Sequence, residues 1–387
     1  MSIHSNIVND LGIKVVIYLG AILVYNSIRK RSKLRRAALL GPRESAWNRL
    51  LNYGDDQSFL EMTGFNRRTW MQLEDIIFPI HERIQTKRGR PPVLNDRGQL
   101  GLLIFFLGST MTLSQLCMIF GVVPSSACIY INRLLLKVYK KLRINEFARI
   151  QFPNQAEMAQ FSDMIATRYP RIQNCIGFMD GLSIHVQCSE DSDTQNAWYN
   201  GYHSDTMCNN VFLFGPNGKV LLSAINYPGS WHDATVCSTM LVHILEHIHD
   251  YCICVDQGFP RSGRYLDILV GPLSKKDIRR LSPVLRNAIV QRANDHVSLR
   301  QASEWGMRGL QGTWPRLKSR LTSNNRKRKL IISCIVLLNN YRTEYLGLNQ
   351  IATVFNTYYE QYINLNGYDR ISRYFHANND EANENIE

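Results

Sequence analysis

The sequence predicts a mixed α/β domain preceded by an all-helical region. Apolar residues recur at helical spacing through much of residues 37–145. Short β-branched runs bounded by turn residues begin near residue 171. From there the order is three strands, helix, strand, helix, which is that of a mixed sheet flanked by helices.

The chain has 387 residues, 45% of them hydrophobic and 20% charged, so it is long enough for two or three domains with cores and is no disordered linker. Its formal net charge of +13 favours a polyanionic partner, with nucleic acid first and an anionic membrane surface second. Nine cysteines, an odd number without the paired short spacings of a zinc site, read as reduced buried thiols and point to an intracellular protein. Cys252 and Cys254 alternate in an apolar run and so should face one side of a strand.

Residues 1–36 form an apolar and basic segment. The apolar stretch from Val15 to Tyr25 is 11 residues long, whereas a membrane-spanning helix needs roughly 20, so a membrane role is disfavoured. Arg29, Lys30, Arg31, Lys33, Arg35 and Arg36 follow, which suits a nuclear import signal, a phosphate-contacting arm or a solvated basic loop. Within 37–145, Phe59, Leu60, Met62 and Phe65 lead into Trp70, Leu73, Ile76 and Ile77 at helical spacing. Lys87-Arg88-Gly89-Arg90-Pro91-Pro92 has the form of a minor-groove arm that would insert Arg88 and Arg90, or of an ordinary turn between helices. Residues 113–136 read as two helices about a glycine turn, a helix-turn-helix or a plain hairpin. Cys117, Ile119 and Phe120 would pack on Ala127, Ile131 and Leu134, leaving Ser125, Ser126, Tyr130, Asn132 and Arg133 to face a major groove.

The α/β domain spans 165–345. Strands are expected over 175–186, 211–214, 220–224, 252–255 and 268–270, with Pro216-Asn217-Gly218 as a hairpin turn. Helices are expected over 233–249, 282–293, around residue 304 and over 330–345; residues 346–387 would add a C-terminal helix and an Asn-rich acidic tail.

Asp180 lies mid-strand and Asp256 at a strand end, each beside glycine. Carboxylates on buried strands are costly unless paired, and two meeting at one sheet edge suit a hard divalent cation; otherwise each merely bonds nearby amides. Glu304, on a downstream helix, supplies a third acid, with Arg300 and Arg308 at i−4 and i+4 placed to pair with it or reach a phosphate. Asp233, in a loop entering a helix, is either a supporting metal ligand or a cap. Tyr199, Asn200 and His203 are candidate site or packing residues. Arg316, Lys318, Arg320, Arg326, Lys327, Arg328 and Lys329 cluster after Glu304 as a DNA track or a solvated linker. No Ser-His-Asp or Cys-His pattern suggests covalent catalysis.

Four motifs follow in order: Gly177-Phe178-Met179-Asp180-Gly181, Pro228-Gly229-Ser230-Trp231-His232-Asp233, Val255-Asp256-Gln257-Gly258-Phe259-Pro260 and Ser303-Glu304-Trp305-Gly306. On these, roughly residues 95–345 resemble the PIF/Harbinger transposases and their domesticated nuclease relatives. The 47 residues between Asp256 and Glu304 are similar to that family's spacing between the second acid and the glutamate of its Asp-Asp-Glu triad. The resemblance implies a ribonuclease-H-like catalytic domain with Asp180, Asp256 and Glu304 as triad. It also implies Mg²⁺ or Mn²⁺, cleavage at terminal inverted repeats with joining of 3′ hydroxyls to target DNA, and a separate Myb-like DNA-binding partner. The expected function is thus a nuclear, metal-dependent transposase or nuclease acting on DNA, possible as a homo-oligomer; the alternative is a domesticated DNA-binding protein that no longer cuts.

Overall fold

The computed structural model describes residues 15–24, 34–80, 91–260, 263–272, 279, 283–347 and 349–355. Arg88 and Arg90, the basic cluster from Arg29 to Lys33 and the tail beyond residue 355 lie outside the described residues.

Helix α1, Val15–Val24, is exposed along its length. Among the described residues no single helix is long and apolar enough to cross a membrane. Helices α2 (Ala46–Tyr53), α3 (Asp56–Thr63), α4 (Arg67–Ile77), α5 (Asp96–Leu107), α6 (Leu113–Phe120) and α7 (Pro124–Leu142) follow. Their starts are set by side-chain caps: Asn66 and Asn95 accept from the amides of Thr69 and Gly98, and Thr112 with Gln115 forms a capping box. Trp47 is the centre of this region, its ring against Phe59, Trp70, Phe105 and Phe120. Gly101 leaves room for it, since a Cβ there would run into the indole.

Helix α6 ends at Gly121, which takes the left-handed conformation glycine favours (φ 67°), and α7 sets off at 96° to it. Cys117, Phe120, Ala127, Ile131 and Leu134 are buried between them, with Ile119 partly so. Ser125, Asn132 and Arg133 are exposed and Ser126 half-buried. The sequence reading of Tyr130 as groove-facing is corrected: its ring is buried and its hydroxyl accepts from the Val93 amide at 2.9 Å. Helix α7 also runs six residues past the expected end at Leu136, because Val138 and Leu142 continue its buried stripe.

After α8 (Gln155–Arg168) come β1 (Cys175–His185), α9 (Ser192–Trp198), β2 (Tyr199–Asn200), β3 (Asp205–Phe214), β4 (Val220–Pro228), α10 (Asp233–His247), β5 (Cys252–Cys254) and β6 (Leu269–Val270). Helices α11 (Pro283–Thr313), α12 (Asn325–Leu346) and α13 (Gln350–Phe355) close the described chain. Strand β1 pairs antiparallel with β3, which pairs antiparallel with β4, while β5 and β6 add in parallel on the other side of β1. Residues 282–313, read from sequence as two helical stretches, form the single helix α11 from Pro283 onward.

The sheet is covered on both faces. Ile176, Met179, Val211, Leu213 and Ile253 pack with α10 residues Val236, Cys237, Met240 and Ile244. Cys175, Phe178, Phe212, Phe214, Cys252 and Cys254 point the other way, toward α11 and α12, and Cys252 and Cys254 share that face as period-2 alternation requires. This second core is continuous with the one around Trp47. Helix α12 makes the join, with Cys334 Sγ 3.1 Å from the Leu135 carbonyl of α7 and Asn340 exchanging two hydrogen bonds with Val220 of β4.

Candidate active site

Strands β1 and β5 run parallel with Phe178 opposite Cys254. Two residues further along the chain from each lie Asp180, still on β1, and Asp256, just past the end of β5, so the register carries both acids to the same end of the sheet. Asp180 accepts from the Gly181 amide at 2.8 Å, and Asp256 accepts from the Gly258 amide at 2.7 Å.

Asp233 arrives from the opposite layer as the first residue of α10, which starts after His232 without a side-chain cap bond. Among the described residues no hydrogen bond holds its carboxylate, so the capping explanation for Asp233 finds no bond to support it. Its position is set by Gly181, since a Cβ at that residue would collide with the Asp233 carboxylate. Burial, then Asp180, then Asp256 push the Asp233 carboxyl up to about 6. Burial is also the main cause that raises Asp180, with Asp256 adding to it against the hydrogen bonds from Gly181 and Ser303. Three carboxylates therefore share one partly dehydrated corner of the sheet.

Helix α11 crosses this corner on small residues. Ala302 and Ser303 are fully buried, and Gly306 sits where a Cβ would meet the Phe214 ring at 2.9 Å. The close approach puts Ser303 Oγ 3.2 Å from Asp180 Oδ2, its single proton shared between that carboxylate and the nearer Arg300 carbonyl at 2.7 Å. Glu304, the next residue, is paired with Arg300 at 2.8 Å and more distantly with Arg308 at 3.8 Å. No three of Asp180, Asp233, Asp256 and Glu304 bring a ligand atom each within 4.8 Å of one another. The structure thus brings the three aspartates together electrostatically, and places Glu304 next to Ser303 on α11 with its charge held by Arg300.

The donors are carboxylate oxygens, the set a hard divalent ion prefers, and a cation would relieve the mutual repulsion that raises Asp180 and Asp233. Residues 179–340 match the family model of the DDE superfamily endonuclease. The match contains Asp180, Asp233, Asp256 and Glu304 and supports a DDE-type transposase family, and the mixed sheet flanked by helices is consistent with a ribonuclease-H-like domain of that kind. No curated protein and no solved structure matches the chain.

The basic residues are distributed differently from the sequence expectation. Arg308 and Lys318 are exposed. Lys327 is half-buried, and Arg320 is exposed but bound through both terminal nitrogens to Asp205 at 2.8 Å. Arg133 donates to Gln99 at 2.9 Å. Arg328, assigned from sequence to a DNA track, is corrected: at 1% exposure it lies under the surface, donating to Asn226 and to the carbonyls of Thr322 and Ser323 beneath the Trp198 ring. Arg316 is likewise a staple, donating to the Phe106 and Met111 carbonyls of the N-terminal helices. Asn200 is a turn residue, its side chain accepting from the Tyr202 and His203 amides at 3.0 and 3.1 Å. Sequence reasoning missed Ser303 and read Gly181 as room for a phosphate backbone, whereas the structure gives Gly181 the Asp233 carboxylate as neighbour; each stands beside a triad candidate within its motif, which is the only signal the sequence offers for them.

Proposed function

We propose that the chain is a metal-dependent DNA nuclease of the PIF/Harbinger transposase type, with Asp180, Asp256 and Glu304 as its catalytic acids and Asp233 as a supporting metal ligand. The observation that carries this reading is the gathering of Asp180, Asp256 and Asp233 at one end of the sheet with no cationic side chain bonded to any of them among the described residues. Mg²⁺ or Mn²⁺ bound there would supply activation of the attacking water and neutralisation of the leaving 3′ oxygen. The protein's own part is positioning. Gly181 admits Asp233, Ser303 orients Asp180, and Glu304, next to Ser303 on α11 and paired with Arg300, is the proposed third acid. A freed 3′ hydroxyl would then attack target DNA in the same site.

Exposed Arg308 and Lys318 are the proposed phosphate contacts, and the α6–α7 pair, through Ser125, Ser126, Asn132 and Arg133, the proposed sequence reader. Arg320 joins them only if Asp205 releases it. A nuclear location, homo-oligomers and a Myb-like partner belong to the same proposal, supported by the basic charge and the motif order.

The test is strand nicking of duplex DNA with Mg²⁺ or Mn²⁺ by the parent protein and by Asp180→Asn and Glu304→Gln. We expect nicking by the parent alone, with DNA affinity retained in both variants because neither removes a basic residue. Nicking by Glu304→Gln at the parent rate would remove Glu304 from the triad, and absence of nicking in all three would favour the non-cutting DNA-binding alternative.

A further inference from the structure

Helix α10 joins two different chemistries. Its first residue, Asp233, faces the acidic corner; its last turn carries His243, Glu246 and His247 in the pattern His-x-x-Glu-His. Positions three and four apart share one helical face, and one ligand atom of each of these three residues lies within 4.8 Å of the others. The imidazole rings of His243 and His247 lie 4.3 Å apart between centroids.

Four further observations favour a cation there. His247 Nδ1 is 2.8 Å from the His243 carbonyl, which can only accept, so that nitrogen carries the proton and Nε2 keeps its lone pair. A backbone carbonyl bonded to the far ring nitrogen is the arrangement that orients metal-binding histidines. Phe152 packs edge-on against both rings, 5.5 Å from His243 and 6.0 Å from His247, and restrains their rotation. The site also lies at the C-terminal end of α10, where the unpaired carbonyls favour positive charge. Glu246 makes no ion pair among the described residues that would neutralise it.

We propose that His243, Glu246 and His247 form a second metal site, one that takes a divalent transition ion of the zinc class and leaves at least one coordination position to water. Two imidazoles and a carboxylate select Zn²⁺, Co²⁺, Ni²⁺ or Cu²⁺ over Mg²⁺, whereas the all-oxygen set of Asp180, Asp233 and Asp256 has the opposite preference. His247 lies fourteen positions along the helix from Asp233, or about 21 Å at 1.5 Å per residue, so the two sites cannot share an ion. The inference does not depend on the nuclease reading.

The experiment is a Zn²⁺ titration of the full chain by calorimetry in excess Mg²⁺, with histidine carbethoxylation mapped by mass spectrometry in the presence and absence of Zn²⁺. We expect one Zn²⁺ equivalent that protects His243 and His247 but not exposed His203 from modification. Asp180→Asn should retain that equivalent. His243→Asn/His247→Asn should lose it, weakening binding beyond the roughly 10–100-fold that loss of an outer partner alone costs, and Glu246→Gln should weaken it less. His247→Asn alone, at an exposed position near the helix end, serves if the double variant does not fold. Unchanged Zn²⁺ binding in the histidine variants, loss of the equivalent in Asp180→Asn, or equal modification of His243 and His247 with and without Zn²⁺ would each overturn the proposal.

Discussion

Burial and two neighbouring acids raise the Asp233 carboxyl from its ordinary 3.8 to about 6, so the folded chain holds a proton there that the unfolded chain has already released. The stability this group contributes is complete below about pH 4 and lost as pH rises through 6. Asp233→Asn should therefore stabilise the metal-free protein at pH 7.5, on the order of 1–3 kcal/mol, and have little effect near pH 4. Urea unfolding in a chelator at both pH values measures this, and equal effects at the two would show that the charge is not the cause. Gly181→Ala should abolish Mg²⁺-dependent nicking and destabilise the fold by about 1–3 kcal/mol, because the added methyl enters the space of the Asp233 carboxylate. Calorimetric melting together with the nicking assay separates the two losses. That Asp180 and Asp256 lie at one end of the sheet was legible in the sequence, because each stands in or just after an apolar run; Asp233 stood only as a ligand or a cap. The role of Gly181 was not legible, since it is a distance between β1 and α10 that no local pattern encodes.

At the scale of elements, the sheet and its flanking helices followed from alternation and turn residues, and β1, β4 and β5 begin where the pattern placed them. The single helix α11 was harder to see, since Asn294-Asp295-His296 interrupts the apolar pattern between the two expected stretches; further along, Ala302, Ser303 and Gly306 are small because the helix lies close to Phe214 and Asp180. The run from Arg316 to Lys329 misled for another reason: counting charges does not report depth. Arg328 bonds to two side chains, Asn226 and Asn325, and to two carbonyls, so Arg328→Ala should cost about 2–4 kcal/mol. Lys318→Ala, on the surface, should stay within about 0.5 kcal/mol yet weaken DNA binding. Thermal unfolding paired with a DNA-binding isotherm for each variant checks both. A melting temperature unmoved by Arg328→Ala would mean that water replaces the guanidinium.

For the whole molecule, the net charge of +13 makes duplex DNA the expected partner, with affinity falling by orders of magnitude between about 50 and 200 mM salt. Fluorescence anisotropy on two unrelated duplexes tests this, and an affinity indifferent to salt would refute the phosphate contacts. The continuous core has a different implication. Helix α12 is buried against α7 on one flank and β4 on another, and Trp314 stands against Phe65 from the N-terminal helices. A fragment begun at residue 165 would present these apolar flanks to water, so the two regions should melt in one transition and resist expression apart. Lineages could therefore not exchange the helical region for another the way unlinked modules are shuffled. On the reading proposed above, a change in what the protein recognises would come from substitutions on the exposed side of α7, with its packed side held fixed by the α/β domain it lies against.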